Sequence, residues 1–247
     1  SSKLSKYRQY FDITQSKSVS NSELQFNSDN DSSYSLNPED LVAAPWGAPS
    51  DVLKSRGVFI GYGISVPQLG YDDYKGVNVN NKIVVMLSGL PENYRNFNLS
   101  LQGQAFHGDP IKKTILAKER GATGVILILS ENEKLSSYQT KDLEQGRGYL
   151  TVKLKQVNFP VFIVSFNAAR FLFSTLFKKG DLSDTLPTLI RKINLKVSRH
   201  HFEFKGEFLF RSSYQRLEIQ GSNVIGLFYG SDENLKDEFL IIGGHYD

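Results

Sequence analysis

The segment Asp109 to Leu129 constrains the fold most. Asp109 stands where a helix N-cap belongs and Pro110 fills the first helical position, with Ile111, Ile115 and Leu116 on one face. Gly121 then ends the helix, and Val125 to Leu129 follows as an apolar run. A helix that feeds a short, fully apolar strand belongs to an α/β layer. Lys82 to Leu87 reads as a second buried strand, Gly57 to Ile64 as a glycine-punctuated one, and Pro160 to Val164 as another. Ser165 caps a helix carrying Ala169, Leu172, Phe173, Leu176 and Phe177, with Gly180 as its stop.

The remaining segments are less regular. Residues 1 to 55 are polar and rich in Ser, Asn and Asp, and read as an edge strand or hairpin followed by a Pro-rich connection from Ala43 to Pro49. Ser130 to Gln156 reads as a surface excursion. From Leu186 the texture is that of alternating strands, at Ile193 to Val197, His201 to Phe204, Phe208 to Arg211 and Arg216 to Gln220. Two apolar strands follow, Asn223 to Tyr229 and Glu238 to Gly243, joined by a polar turn.

With 247 residues and 40% apolar content the chain can bury one large core or two ordinary ones. The net charge of +3 is spread over isolated pairs such as Lys112-Lys113, Lys178-Lys179 and Arg191-Lys192, with no aromatic ladder between them, which argues against nucleic acid as the main partner. The absence of cysteine excludes disulfides, thiolate metal sites and cysteine nucleophiles. No apolar run reaches the roughly 20 residues that span a bilayer. Residues 1 to 20 lack a signal-peptide core, and the chain starts at Ser1 with Met86 as its one methionine, so a native start and leader are expected to lie outside it. Sequons at Asn30 and Asn98 carry little weight.

Several motifs compete for chemistry. Gly61-Tyr62-Gly63 fails as a dinucleotide fingerprint, because the third glycine would fall at Val66 and Pro67 follows where a helix should open. No Gly-x-Ser-x-Gly elbow and no phosphate loop occurs. Tyr71-Asp72-Asp73-Tyr74 offers paired carboxylates without calcium-loop spacing and reads better as a capped turn. His107, His200 and His201 have no partner at ligand spacing. His245 and Asp247 stand at the end of the apolar run Phe239 to Ile242, and two residues apart on a continuing strand they would point the same way. A neutral imidazole suits zinc, and a carboxylate on its other nitrogen fixes the tautomer. The bland alternative is a polar turn after a strand.

Taken together these segments resemble the bimetallic zinc aminopeptidases, the family of leucyl aminopeptidases and glutamate carboxypeptidase II, carrying an inserted protease-associated domain. Residues 58 to 89, 112 to 128 and 160 to 164 resemble the opening, the helix with its strand, and the closing strand of that insert. Gly221-Ser222-Asn223-Val224-Ile225-Gly226, Gly230-Ser231-Asp232, Lys236-Asp237-Glu238 and Ile242-Gly243-Gly244-His245-Tyr246-Asp247 resemble the return to the peptidase domain. Tyr7 to Ile13 resembles a strand well inside it.

The resemblance implies an α/β fold in which a β-sandwich-like/α insert at 56–185 is flanked by incomplete parts of a zinc-peptidase α/β/α sheet, at 1–55 and 186–247. It implies His245 as a zinc ligand and Asp247 as the carboxylate orienting it, two zinc ions per intact site, a peptide or protein substrate, and an extracellular or periplasmic location. No catalytic base lies in the chain, so it is expected to be an inactive internal fragment of a metallo-aminopeptidase. The competing expectations are a non-catalytic binding or receptor ectodomain and a free-standing interaction module at 56–185.

Overall fold

The computed structural model describes residues 8–18, 22–92, 94, 100–138, 149–152, 157–176, 185–195, 201–226, 232–235, 238 and 242–244. In chain order the strands are β1 Arg8–Ser18, β2 Glu23–Ser28, β3 Ser33–Ser35, β4 Leu41–Ala43, β5 Ser50–Phe59, β6 Ser65–Val66, β7 Tyr71–Asp72, β8 Ile83–Leu87, β9 Gly124–Ile128, β10 Tyr149–Val152, β11 Val161–Val164, β12 Phe202–Ser212 and β13 Tyr214–Val224. The helices are α1 Leu101–Gly108, α2 Pro110–Glu119, α3 Phe166–Leu176 and α4 Leu186–Asn194. The architecture is mixed α/β, around an eight-stranded sheet ordered β3-β2-β12-β5-β8-β9-β11-β4.

The sheet has two physically different halves. β5, β8, β9 and β11 run parallel, and β8, β9 and β11 are buried at every position. Such strands need cover on both faces. Ile83, Val85, Ile126, Phe162 and Val164 pack with Ala169, Leu172 and Phe173 of α3 and Leu186, Leu189 and Ile193 of α4. The alternate residues Val84, Met86, Val125, Leu127, Val161 and Ile163 pack with Ile111 and Ala117 of α2, and with Val42, Ala44 and Trp46. The sequence-expected strands and helices at 82–87, 109–121, 125–129, 160–164 and, up to Leu176, 165–177 correspond to this half, while Phe177 and the expected stop at Gly180 lie outside the described residues.

The other half is antiparallel and wet on one face. β12 lies between β2 and β5, and its even-numbered Phe204, Phe208 and Phe210 are buried while Glu203, Lys205 and Arg211 are exposed. Phe204, Phe208 and Phe26 form a mutual ring cluster with centroids 4.9–5.9 Å apart. Ion pairs line the wet face, among them Lys54 to Glu207 at 2.8 Å and Arg211 to Glu23 at 3.3 Å.

Several expectations are corrected. Leu186–Asn194 is a helix where a strand was expected from Ile193: Leu186, Leu189, Ile190 and Ile193 follow the helical period, and Pro187 sits in its first turn. His201 to Phe204 and Phe208 to Arg211 merge into the single strand β12, with a bulge between Glu203 and Glu207 around Gly206. The expected loop from Ala43 to Pro49 is buried from Ala43 to Gly47, with Trp46 fully enclosed. The glycine-punctuated strand begins earlier, at Ser50, and ends at Phe59. The run from Asn223 leaves its strand at Val224, and Ile225 and Gly226 are exposed. At the second boundary strand, expected from Glu238 to Gly243, the described residues 238, 242 and 243 are not in a strand, and Ile242 is 89% exposed. An apolar strand is buried only by neighbours, and in the described residues both edges of the large sheet, β3 and β4, lack this segment as a partner.

A second sheet joins the two strands that flank residues 22–212. β1 and β13 pair antiparallel over their full length, from Arg8 opposite Val224 to Ser18 opposite Tyr214, and β10 from the expected surface excursion adds to β1. Residues 22–212 therefore lie between two strands that are hydrogen-bonded to each other. The large sheet draws on all three expected segments: β5 runs across 55/56, and β12 from the third segment pairs with it.

Gly206 has φ of 153°, and a Cβ there would run into the Asn27 carbonyl oxygen. Gly206→Ala should destabilise the protein by about 2 kcal/mol or more. Urea unfolding reads this directly, and an unchanged midpoint would show that the close approach of Gly206 to β2 is not required.

Candidate functional site

His245 and Asp247, the sequence-derived zinc ligand and its orienting carboxylate, lie outside the described residues. Among the described residues no group of three or more His, Asp or Glu side chains could hold a metal ion. His107 ends α1 with its ring edge-on to Tyr94 at 5.9 Å and to Phe106 at 5.3 Å, and burial lowers its pKa. His201 is exposed just before β12, and His200 lies outside the described residues.

The polar site that the fold does build sits at the carboxyl ends of β5, β8 and β9, the end at which parallel sheets present side chains to ligands. Beyond β5 the chain turns through Gly61 and Gly63, both with positive φ. This turn wraps the Asp73 carboxylate, which accepts from the Ile64 N–H at 3.0 Å and lies beside the Tyr62 backbone and the Tyr71 hydroxyl, both of which favour its charged form. A Cβ on Gly61 would press on that carboxylate. Asp72 accepts from the Tyr74 N–H at 3.0 Å, so the Tyr71 to Tyr74 segment is the capped turn expected of it. The two glycines that fail as a nucleotide fingerprint thus have a different use. They let backbone close on an acid.

Lys113 comes to the same place from α2. Only 2% exposed, it donates to the Leu87 carbonyl at 3.1 Å and to the Gly89 carbonyl, and its ammonium lies 5.6 Å from the centre of the Tyr62 ring. These carbonyls stand at the last residue of β8 and two residues beyond it. Nearby, Ser88 Oγ donates to Glu133, and the Ser130 N–H reaches both Ser88 Oγ at 3.0 Å and the Glu133 carboxylate at 2.9 Å. Tyr62 donates to Asn194 at 3.2 Å, tying α4 to the turn. The segments after β5, β8 and β9 are therefore linked by these side chains together with the backbone bond from the Leu87 N–H to the Gly61 carbonyl.

Burial sets the electrostatics. Asp73 as a residue keeps some surface, but its carboxylate is enclosed, and desolvation pushes its pKa up to about 7 against the pull of its hydrogen bonds and of Lys113. Desolvation brings Lys113 down to about 7, with Asp73 and Glu133 opposing. Tyr62 is pushed up to about 12 by burial. Sequence reasoning singled out Asp73 but gave Lys112-Lys113 only as an isolated charge pair, because nothing in a Lys-Lys dipeptide tells which lysine turns inward.

No family model and no curated protein matches the chain. Among solved structures, two of BSAP, a zinc aminopeptidase from Bacillus subtilis, align over 89% of this chain and 38% of their own, at 13% and 14% identity with TM-scores of 0.36 and 0.35. Apa1, a psychrophilic subtilisin-like protease from Pseudoalteromonas sp. AS-11, aligns over 81% of this chain and 35% of its own, at 13% identity and a TM-score of 0.34. The chain spans well under half the length of these proteases, and at such TM-scores the likeness carries no argument about fold or reaction.

The Asp73 shift fixes the sign of a pH effect. The folded protein holds this proton up to about pH 7 while the unfolded chain releases it near 4, so the Asp73 contribution to stability is full below pH 4 and declines as pH rises toward 7. The stability of wild type relative to Asp73→Asn should therefore fall from pH 4 to pH 7, with a slope of up to about 1.4 kcal/mol per pH unit. Urea unfolding of both proteins across that range measures it, and a pH-independent difference would contradict the enclosed carboxylate.

Proposed function

We propose that this chain is an internal part of a zinc-dependent exopeptidase, comprising an inserted accessory domain and the adjoining strands of the catalytic domain. The observation that carries the reading is the β1–β13 ribbon. An insert must leave its host and return to it at one place, and two strands paired from Ser18–Tyr214 out to Arg8–Val224 meet that requirement. On this reading the insert comprises residues 22–212, wider than the 56–185 expected from the sequence, since its sheet needs β2, β5 and β12 together.

The chemistry rests on the resemblance of Gly221 to Asp247 to the peptidase return. His245 would hold one metal ion through an imidazole nitrogen, and Asp247 would accept the N–H of the other nitrogen and set the tautomer. The donor chemistry fits zinc, but one imidazole is a single ligand of a site that needs three or more, so the remaining ligands and the general base belong to other parts of the protein. A bound zinc pair supplies Lewis-acid activation of water for hydrolysis of an N-terminal peptide bond. The accessory domain would flank the crevice and shape peptide access, and the reading carries an extracellular or periplasmic location. No helix among the described residues is long and apolar enough to cross a membrane.

The test is His245→Ala in the full-length protein. Bound zinc by elemental analysis and hydrolysis of aminoacyl p-nitroanilides should both drop, the latter by at least about 100-fold. Retention of both would remove His245 from the metal site, whereas a full-length protein that neither binds zinc nor hydrolyses these substrates before mutation would leave a binding protein as the better reading.

A further inference from the structure

A cavity of about 290 Å³ opens between α1, α2 and the Gly63–Ser65 turn. Ile64, Ile115 and Leu116 give it apolar walls, Phe106 stands at its mouth 53% exposed, and Lys113 forms part of its lining. This size is at the low end for small-molecule sites, which are typically apolar with a few fixed polar groups.

Lys113 is the unusual member. An ammonium has three N–H groups, and among the described residues only the Leu87 and Gly89 carbonyls accept from it. Asp73 and Glu133 favour its charged form, yet neither is ion-paired with it. Each carboxylate is engaged elsewhere, Asp73 by the Ile64 N–H and Glu133 by Ser88 and Ser130. A buried cation whose direct partners are neutral is short of a contacting anion. Lys112 adds a second positive charge at the mouth, its ammonium 5.0 Å from the centre of the Phe106 ring, while Glu119 lines the same cavity and disfavours a second negative charge on the guest.

We infer that this cavity binds a single carboxylate attached to a short apolar group, with the carboxylate on Lys113 and Lys112 and the apolar group against Ile64, Ile115 and Leu116. A free small acid and the last residue of a peptide both present this chemistry. Dicarboxylates and phosphates are disfavoured by Glu119. The inference does not depend on the exopeptidase reading, since no residue of it is shared with the proposed metal site.

Isothermal titration of the 247-residue protein tests it, with N-acetyl-leucine, N-acetyl-leucine amide, and a pentapeptide ending in leucine as the free acid and as the amide. At least one of the two acids should bind, and its amide should bind at least tenfold more weakly. Binding of the capped amino acid alone assigns the site to small acids, and binding of the peptide acid assigns it to polypeptide carboxyl termini. Leu116→Trp, which fills the cavity from a partly buried position, should abolish binding, and Lys112→Glu should weaken it by at least threefold while leaving the fold intact by circular dichroism. Binding of neither acid, equal binding of acid and amide, or binding undiminished in Leu116→Trp would overturn the inference.

Discussion

The placement of β12 between β2 and β5 is the constraint on which the rest depends. Without it the parallel strands would be left with a bare edge at β5, and the β2–β3 hairpin would have no sheet to join. With it, Phe204, Phe208 and Phe210 complete the core under α3 and α4, and the chain is brought back from its far end to where it began. The pairing demands tight backbone approach: a Cβ on Gly57 would strike the Phe208 ring, and one on Gly206 the Asn27 carbonyl. One consequence is topological. Because β12 runs antiparallel to β2, the strand that follows it can return along β1, and so the incoming and outgoing strands become partners.

The parallel half of this fold was legible in the sequence because its signals are local and redundant. Ile83 to Leu87 and Val161 to Val164 are continuous apolar runs, and Asp109-Pro110 with Gly121 marks both ends of a helix; the Asp109 carboxylate does accept from the Ile111 N–H, at 2.8 Å. What was missed lacks such signals. α1 buries none of its residues, so its sequence shows no apolar stripe. α4 follows the helical period but sits in a β-rich context that biased the reading toward strands. Ala43 to Pro49 looks like a loop, yet Ala43 to Gly47 is buried because Trp46 closes the α2 face of the sheet, with its indole N–H 3.4 Å from Thr114 Oγ1. The partner of a strand is a non-local fact, and no local pattern announces that residues near 206 pair with residues near 28.

The polar site follows the same division. The glycines at 61 and 63 and the turn at 71–74 were each visible, but their meeting around one carboxylate depends on the β5–β8 crossover. Lys113 was invisible altogether. It is buried because α2 lies on the sheet with Ile111, Thr114 and Ala117 inward, which carries the lysine over the carbonyls at the end of β8 and just beyond it. Backbone bonds from the Leu87 N–H to the Gly61 carbonyl and from the Ser88 N–H to the Ile128 carbonyl join these loops, and Lys113 and Asp73 are buried against them. His245 and Asp247, by contrast, follow a segment whose described residues are exposed and outside any strand, so the metal reading rests on their chemistry and order in the sequence.

The central claim is that residues 22–212 form a self-sufficient unit whose two ends meet in the β1–β13 ribbon. Equilibrium unfolding of a 22–212 polypeptide beside the 247-residue chain tests it most directly. The account predicts one cooperative transition for the shorter chain, with a stability within about 1–2 kcal/mol of the longer one, since every strand of the large sheet and both of its cores are retained. A shorter chain that unfolds without cooperativity, or that lacks native secondary structure, would show that the ribbon is part of the core and that the unit is not an insert.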